Sequence, residues 1–302
     1  MLRGSKTKFL RRNRRLLQEK QAAYFPRISH SPPRLFTAAE LDDATGGYHP
    51  AKLIKRDAPF ELYTATLGGQ AVSVKRATPP AGSSNCDAAV EGLITEVVVL
   101  SAVGHRNVVK LLGCCLETQS PALVYELHAH GTLQDRASAA AGAGAWEPMS
   151  WPGRLRVAAE VTGGLHYLHC HAPLTIFHGD VKPSSVILDE QGVPKIVDFA
   201  LSTPIASDPT GAADQEQGDV YSLGMLLVVL MLGEQPSQWQ DDGGLREGLV
   251  ARARGLGEAE GNVEQLGAFA GVALECLRPK GEERPTAKEV ERRLREIMSF
   301  MP

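Results

Sequence analysis

The chain has 302 residues, 43% of them hydrophobic and 22% charged, which is ordinary for a soluble globular protein of one large domain or two lobes. Its five cysteines show no C-x-x-C or Cys/His ligand spacing, which disfavours a metal site and indicates free thiols in a reducing compartment. The longest uncharged apolar run, Val220 to Leu232, has thirteen residues, so it predicts a buried helix and not a membrane span.

The net charge of −3 conceals a basic N-terminus. Residues 1–20 hold eight Lys or Arg and one acid, whereas the rest of the chain holds 24 bases and 34 acids. No apolar h-region follows this basic start and residue 2 is Leu, so neither a secretory signal nor N-myristoylation is expected. We expect residues 1–34 to form a basic, flexible segment. Three roles stay open for it: a solvated tail, attachment to an anionic membrane surface, and a nuclear signal or nucleic-acid contact.

The next part of the chain shows strand, turn and helix signals. Thr37, with Glu40 three residues on, predicts a capping box at the start of a helix. The turn Gly68-Gly69 predicts a β-hairpin, and residues 71–75 alternate like a half-buried strand. Apolar residues then recur on one helical face, at Val90, Leu93, Ile94 and Val97. A second amphipathic helix is predicted from Trp151 to His169.

Two aspartates carry the strongest chemical signal. Asp180 and Asp198 lie eighteen positions apart, in the stretches H-G-D-V-K-P-S-S and K-I-V-D-F-A. Lys182 follows the first aspartate by two places, and Ser185 by five. Phosphoryl transfer needs one carboxylate near the nucleophile's proton and another to hold the metal that bridges phosphates.

These motifs resemble the catalytic loop and metal-binding turn of eukaryotic protein kinases, H-R-D-x-K-x-x-x-N followed by D-F-G. The resemblance covers residues 36–300. It includes L-F-T-A-A-E-L from residue 35, which is similar to the opening of plant receptor-like kinases of the wall-associated type, and A-V-S-V-K, which is similar to V-A-I-K. It implies an α+β, bilobal fold, with a small, mainly β N-lobe (35–126) that carries an αC helix and a larger, mainly α C-lobe (127–300).

The resemblance also implies roles for individual residues. Asp180 and Lys182 would be remnants of the catalytic machinery, Asp198 would be the metal ligand, and Ser185 a weak second ligand. Tyr125 would be a bulky gatekeeper at the back of the adenine pocket. The residues expected around the nucleotide are Lys75, Glu96, Glu126, Leu127 and Ile187.

Several motif positions depart from the family. Gly179, Ser185 and Ala200 replace its arginine, asparagine and glycine. Only twenty residues follow Asp198 before the next helix motif; they lack A-P-E, and their composition predicts a flexible polar loop. Because Arg284 usually pairs with the A-P-E glutamate, we expect it to be exposed or paired with another acid.

The glycine-rich loop departs furthest. Lys55, Asp57 and Phe60 stand where the family has glycines, which let backbone amides approach the phosphates closely. Several such defects together should leave negligible turnover, since each loss of about 1.4 kcal/mol lowers a rate tenfold.

We therefore predict a catalytically impaired pseudokinase, lacking the glycine-rich loop, that serves as a signalling scaffold or adaptor, with a role in plant immunity implied by the resemblance. The alternative is a serine/threonine kinase with weak or atypical ATP-dependent activity. ATP and Mg²⁺ should bind weakly or not at all. The expected partners are active kinases or intracellular immune receptors, and an anionic membrane surface through residues 1–20, but no nucleic acid. The expected location is the cytoplasm, with peripheral attachment to the plasma membrane as an open alternative.

Overall fold

The structure, a computed structural model, describes residues 2–25, 33–78, 87–126, 131–138, 149–205, 211–233 and 263–299, with four isolated helical positions between 248 and 255. Its helices are α1 (Leu2–Tyr24), α2 (Ala38–Thr45), α3 (Asp87–Ala102), α4 (Leu133–Ser138), α5 (Trp151–Cys170), α6 (Ala212–Leu232), α7 (Val263–Cys276) and α8 (Ala287–Ser299). Its strands are β1 (Arg34–Leu35), β2 (Leu53–Asp57), β3 (Phe60–Leu67), β4 (Gln70–Ala77), β5 (Leu111–Cys115), β6 (Ala122–Glu126), β7 (Thr175–Phe177), β8 (Val186–Leu188), β9 (Pro194–Ile196) and β10 (Thr203–Ile205).

The predicted α+β bilobal architecture is confirmed. A six-stranded sheet, in the order β1-β5-β6-β4-β3-β2, forms the small lobe with α3, and helices dominate the rest. Neighbouring strands are antiparallel except β1 with β5. The β3–β4 hairpin turns at Gly68-Gly69, whose φ values of 58° and 81° favour glycine, as predicted. The capping box of Thr37 and Glu40 at the start of α2 is also confirmed.

The basic N-terminal segment contains a docked helix, so the prediction of a flexible segment over residues 1–34 is wrong for α1. This helix packs on α3 and buries Leu17, which is 7% exposed. The fully buried side-chain amide of Asn13 donates to the carbonyl oxygens of Leu116 and Thr118 at 3.0 and 2.9 Å. These distant contacts hold a helix that local composition alone does not predict.

Helix α3 is buried on nearly all sides. The predicted apolar face is buried, but so are Val98, Val99 and Leu100. The reason is its position between α1 on one side and the sheet on the other. The side chains of α3 are therefore packed against neighbouring elements on two sides.

The C-terminal helices match the sequence pattern except at one boundary. Helix α5 is the predicted amphipathic helix, and the apolar run that ends at Leu232 is buried within α6. Because β10 spans Thr203–Ile205 and α6 begins at Ala212, the prediction of a flexible polar loop is wrong for residues 203–205 and 212–218; residues 206–210 lie outside the described part of the chain. None of the described helices is both long and apolar enough to cross a membrane.

Arg284 is satisfied in a way that the sequence analysis did not anticipate. Its half-buried guanidinium donates to the backbone carbonyls of Arg278, Gln217 and Pro279 at 2.8, 2.9 and 3.2 Å. It also lies 4.8 Å from the ring centroid of Tyr221. Backbone oxygens and an aromatic ring thus stand where we expected exposure or an acidic partner.

Candidate active site

Lys75 on β4 and Glu96 on α3 form a buried ion pair. The ammonium lies 2.8 Å from Glu96 Oε2, and the two residues are 3% and 0% exposed. The Tyr125 hydroxyl donates to the other carboxylate oxygen at 2.8 Å. Burial, with the charge of Glu96, raises the pKa of Tyr125 well above its usual value, so this hydroxyl keeps its proton. The expected gatekeeper therefore fixes Glu96, a role that the sequence does not show.

Asp198 carries a cation on each oxygen. It follows β9 in the left-handed conformation, with φ 69° and ψ 51°, which Asp adopts more readily than most residues. Oδ1 accepts from Lys75 at 2.8 Å, and Oδ2 accepts from Lys55 at 2.5 Å. Burial alone would raise the pKa of Asp198, but the charges of the two lysines outweigh it and hold the pKa well below its usual value. The carboxylate is charged and fully paired.

Lys55 reaches this aspartate from β2. Its ammonium also donates to the carbonyl oxygen of Ser184 at 2.8 Å and lies 3.6 Å from Oδ2 of Asp57. Three oxygens thus surround one nitrogen, and the side chain is only 11% exposed. The family resemblance marks this position as a missing glycine.

The tip of the β2–β3 hairpin, Lys55–Phe60, contacts the predicted site residues, and we call it the closing hairpin. The Asp57 carboxylate lies 3.2 Å from the ammonium of Lys182, which is itself 2.8 Å from Asp180. The ring centroid of Phe60 lies 4.6 Å from the ammonium of Lys75. Side chains of the closing hairpin therefore contact residues that would otherwise handle phosphate.

A signal for these contacts does exist in the sequence. Residues two apart in a strand point to the same side, so Lys55 and Asp57 project together from β2. A base and an acid on one side can pair with the acid Asp198 and the base Lys182. The sequence does not reveal that the hairpin closes far enough to make both contacts.

Asp219, on α6, holds the backbone of the loop that carries Asp180. Asp219 accepts from the backbone N–H groups of His178 and Gly179, each at 2.8 Å. Gly179 has φ +79°, and a Cβ placed there would lie 2.8 Å from the carbonyl oxygen of Leu201. An arginine at this position would be strained in this backbone.

The oxygens near Asp198 do not fit Mg²⁺ in their present arrangement. That ion requires near-octahedral oxygen ligands at about 2.1 Å, whereas both Asp198 oxygens and the Ser184 carbonyl already accept from lysines. The hydroxyl of the buried Ser185 donates to the Lys182 carbonyl and accepts from its N–H, both at 2.9 Å. Ser185 therefore closes its own turn, and its role as a weak metal ligand stays a prediction.

Ala200 fixes the turn after Asp198 against α3. A Cβ on Gly92 would lie 3.1 Å from the Cβ of Ala200 and 3.2 Å from its carbonyl oxygen. The backbone of α3 thus meets this turn directly, at the position where the family has a flexible glycine.

The adenine-side predictions are only partly visible. The backbone N–H of Glu126, the last residue of β6, donates to the Lys110 carbonyl at 3.1 Å. Ile187 lies in β8 and is 2% exposed. Leu127 lies outside the described residues. Their roles around a nucleotide stay predictions.

A two-lobed fold with a strand lysine, a helix glutamate and two loop aspartates defines the protein-kinase class. Residues 63–218, more than half of the chain, match the protein kinase domain model, and the chain belongs to that family. Its relatives include wall-associated receptor kinases of Arabidopsis thaliana. Wall-associated receptor kinase-like 4 is 33% identical over 96% of this chain and 41% of its own length, and wall-associated receptor kinase 5 is 35% identical over 85% and 38%. The chain thus spans about two fifths of the length of these relatives.

Proposed function

We propose that this protein is a catalytically impaired member of the kinase family that serves as a signalling scaffold by binding other proteins. The observation that carries the proposal is the closing hairpin, which places Asp57 on Lys182 and Phe60 beside Lys75. A working phosphate loop presents backbone N–H groups to the nucleotide and needs glycine to do so. In this protein, side chains of the closing hairpin stand where such a loop would present its backbone N–H groups.

Electrostatics support the same conclusion. An incoming phosphate group is attracted by unpaired ammonium groups, but Lys55 is already paired with Asp198, and Lys182 with Asp180 and Asp57. A nucleotide must therefore displace existing ion pairs before it can bind. ATP and Mg²⁺ should bind weakly or not at all.

Phosphotransfer by the purified full chain tests the proposal. The chain is incubated with Mg²⁺ and γ-labelled ATP, alone and with a general acceptor protein, beside its Asp198→Ala variant. We expect both proteins to give the same background incorporation of label. Incorporation that is well above background and disappears in Asp198→Ala would overturn the proposal.

A weak serine/threonine kinase is the second candidate function, and one observation favours it. The buried Lys75–Glu96 pair keeps the geometry that an active kinase uses, and Asp180 and Lys182 are present. If the closing hairpin opens in solution, these residues could act on ATP. The same experiment separates the two functions, because only this one predicts Asp198-dependent label.

We also propose the partner class and the biological setting. The relatives' names mark them as receptor kinases, and the resemblance suggests that active kinases or intracellular immune receptors bind this chain in plant immunity. Capture from native tissue with the full chain as bait, compared with an active wall-associated kinase domain as control, tests this. Recovery of the same proteins on both baits would contradict a dedicated scaffold.

The docked helix α1 supports attachment to an anionic membrane from the cytoplasmic side. Lys8, Arg11 and Arg15 are exposed and share one side of the helix through their spacing of three and four residues; of these, Arg15 pairs with Glu19 at 2.7 Å. Each base near anionic headgroups contributes about 1 kcal/mol. Binding to phosphatidylserine vesicles should fall sharply in Lys8→Glu/Arg11→Glu and with added salt, but not in the control Lys288→Glu. Equal binding by both variants would refute the proposal.

A further inference from the structure

We propose that the ammonium group of Lys55 is the resident cation of the Asp198 site and takes the place of the divalent metal ion that a kinase holds there. Removal of Lys55 should then open a divalent-cation site. The inference deepens the proposed loss of phosphotransfer, and it rests on that proposal in so far as both require the closing hairpin to be shut.

The first argument is the set of oxygens around the nitrogen. Lys55 Nζ has Asp198 Oδ2 at 2.5 Å, the Ser184 carbonyl oxygen at 2.8 Å and Asp57 Oδ2 at 3.6 Å. Two carboxylates and a backbone carbonyl are also the ligand types that hard divalent cations prefer. One ammonium therefore occupies a cage of the kind that would hold a metal.

The second argument is charge. Lys55, Lys75, Asp198 and Glu96 are joined by contacts of 2.5 to 2.8 Å and together carry no net charge. The third carboxylate near Lys55, Asp57, is itself paired with Lys182 at 3.2 Å. A divalent cation added to this set would lie close to two ammonium groups, with no free carboxylate oxygen of Asp198 to compensate. With Lys55 neutralised, the set has one uncompensated negative charge, which favours a cation.

The third argument is that the side chain of Lys55 is largely buried and its position is fixed by β2. Its side chain is 11% exposed, and it leaves β2 beside a ladder irregularity between Leu53 and Lys55. The neighbouring Arg56 belongs to the same strand, but its side chain is 68% exposed and pairs with Glu61 at 2.9 Å. Arg56 is therefore a matched control, since it has the same charge and the same strand but lies outside the cage.

The test is titration of the full chain with Mn²⁺ alone, with free Mn²⁺ followed by electron paramagnetic resonance. We expect Lys55→Ala to bind one Mn²⁺ at least about tenfold more tightly than the unaltered chain, because a like charge has left the site. Arg56→Ala should match the unaltered chain, and Lys55→Ala/Asp198→Asn should lose the gain. Lys55→Gln, which keeps a donor for the Ser184 carbonyl, gives a second test of the same gain should Lys55→Ala fold poorly.

Two results would overturn the inference. One is Asp198-dependent Mn²⁺ binding by the unaltered chain as tight as that of Lys55→Ala. The other is no Mn²⁺ binding by either Lys55 variant in folded form. Phosphotransfer is measured separately on the unaltered chain. If the unaltered chain binds Mn²⁺ as tightly as Lys55→Ala but transfers no phosphate, this inference ends and the proposed function stands. If the unaltered chain transfers phosphate, the proposed function ends.

Discussion

The buried Lys75–Glu96 pair gives the sharpest prediction about stability. Replacing Glu96 with Gln keeps the shape of the side chain but removes one of the two carboxylates that neutralise Lys75. Breaking a buried pair costs about 3–5 kcal/mol when the remaining charge has no partner. Because Lys75 keeps Asp198 at 2.8 Å, we expect a loss of about 2–3 kcal/mol. Tyr125→Phe, which removes only a hydrogen bond to the carboxylate, should cost about 1.5–2 kcal/mol.

Thermal and urea unfolding of the full chain measure this loss. At about 2–4 °C per kcal/mol for a chain of this size, the midpoint of Glu96→Gln should fall by roughly 5–10 °C. The control is Glu91→Gln, which makes the same chemical change at an exposed position of α3 and should leave the midpoint unchanged. Equal midpoints for the Glu96 and Glu91 variants would refute the view that the pair holds the small lobe together.

Three further predictions concern other parts of the molecule. Leu17→Ala in α1 should lower the unfolding free energy by about 2–4 kcal/mol by leaving a cavity, whereas the exposed Gln18→Ala should not; urea titration measures both. Because the folded pKa of Asp198 is held below its ordinary 3.8, its stabilising effect is complete above that pH and is lost as the pH falls through the folded value. Urea midpoints of the unaltered chain should therefore fall below about pH 4, and less steeply in Asp198→Asn. Asp57→Asn should speed amide hydrogen exchange in the closing hairpin about two- to fivefold, since its half-exposed pair with Lys182 contributes at most about 1 kcal/mol.

Each of these three predictions has an outcome that would contradict it. A Leu17→Ala protein as stable as Gln18→Ala would mean that α1 is not docked in solution. Parallel acid profiles for the unaltered chain and Asp198→Asn would show that this carboxylate is not paired. Unchanged exchange in Asp57→Asn would mean that other contacts alone keep the closing hairpin shut.

Local patterns predicted much of this fold. The Thr37 capping box, the Gly68-Gly69 turn and the helix from Trp151 all depend on neighbours within a few residues, and all three are present. Short-range signals were sufficient for these three features. The contact of Lys75 with Asp198 spans 123 positions, and only the family resemblance pointed to a shared site for the two.

Long-range contacts were not predictable in the same way. Helix α1 is docked by the buried Asn13 across more than a hundred residues of sequence, and its composition is that of a solvated basic segment. The contact of Lys55 with Asp198 spans 143 positions and depends on how far the hairpin closes. Sequence spacing predicts neither of these contacts, because both are set by packing between elements.

The contact of Gly92 with Ala200 has a consequence for motion. With no side chain on Gly92, the backbone of α3 packs directly on the turn that follows Asp198, and a side chain at position 92 would press the two apart. We therefore expect the helix and the turn to move together as one unit.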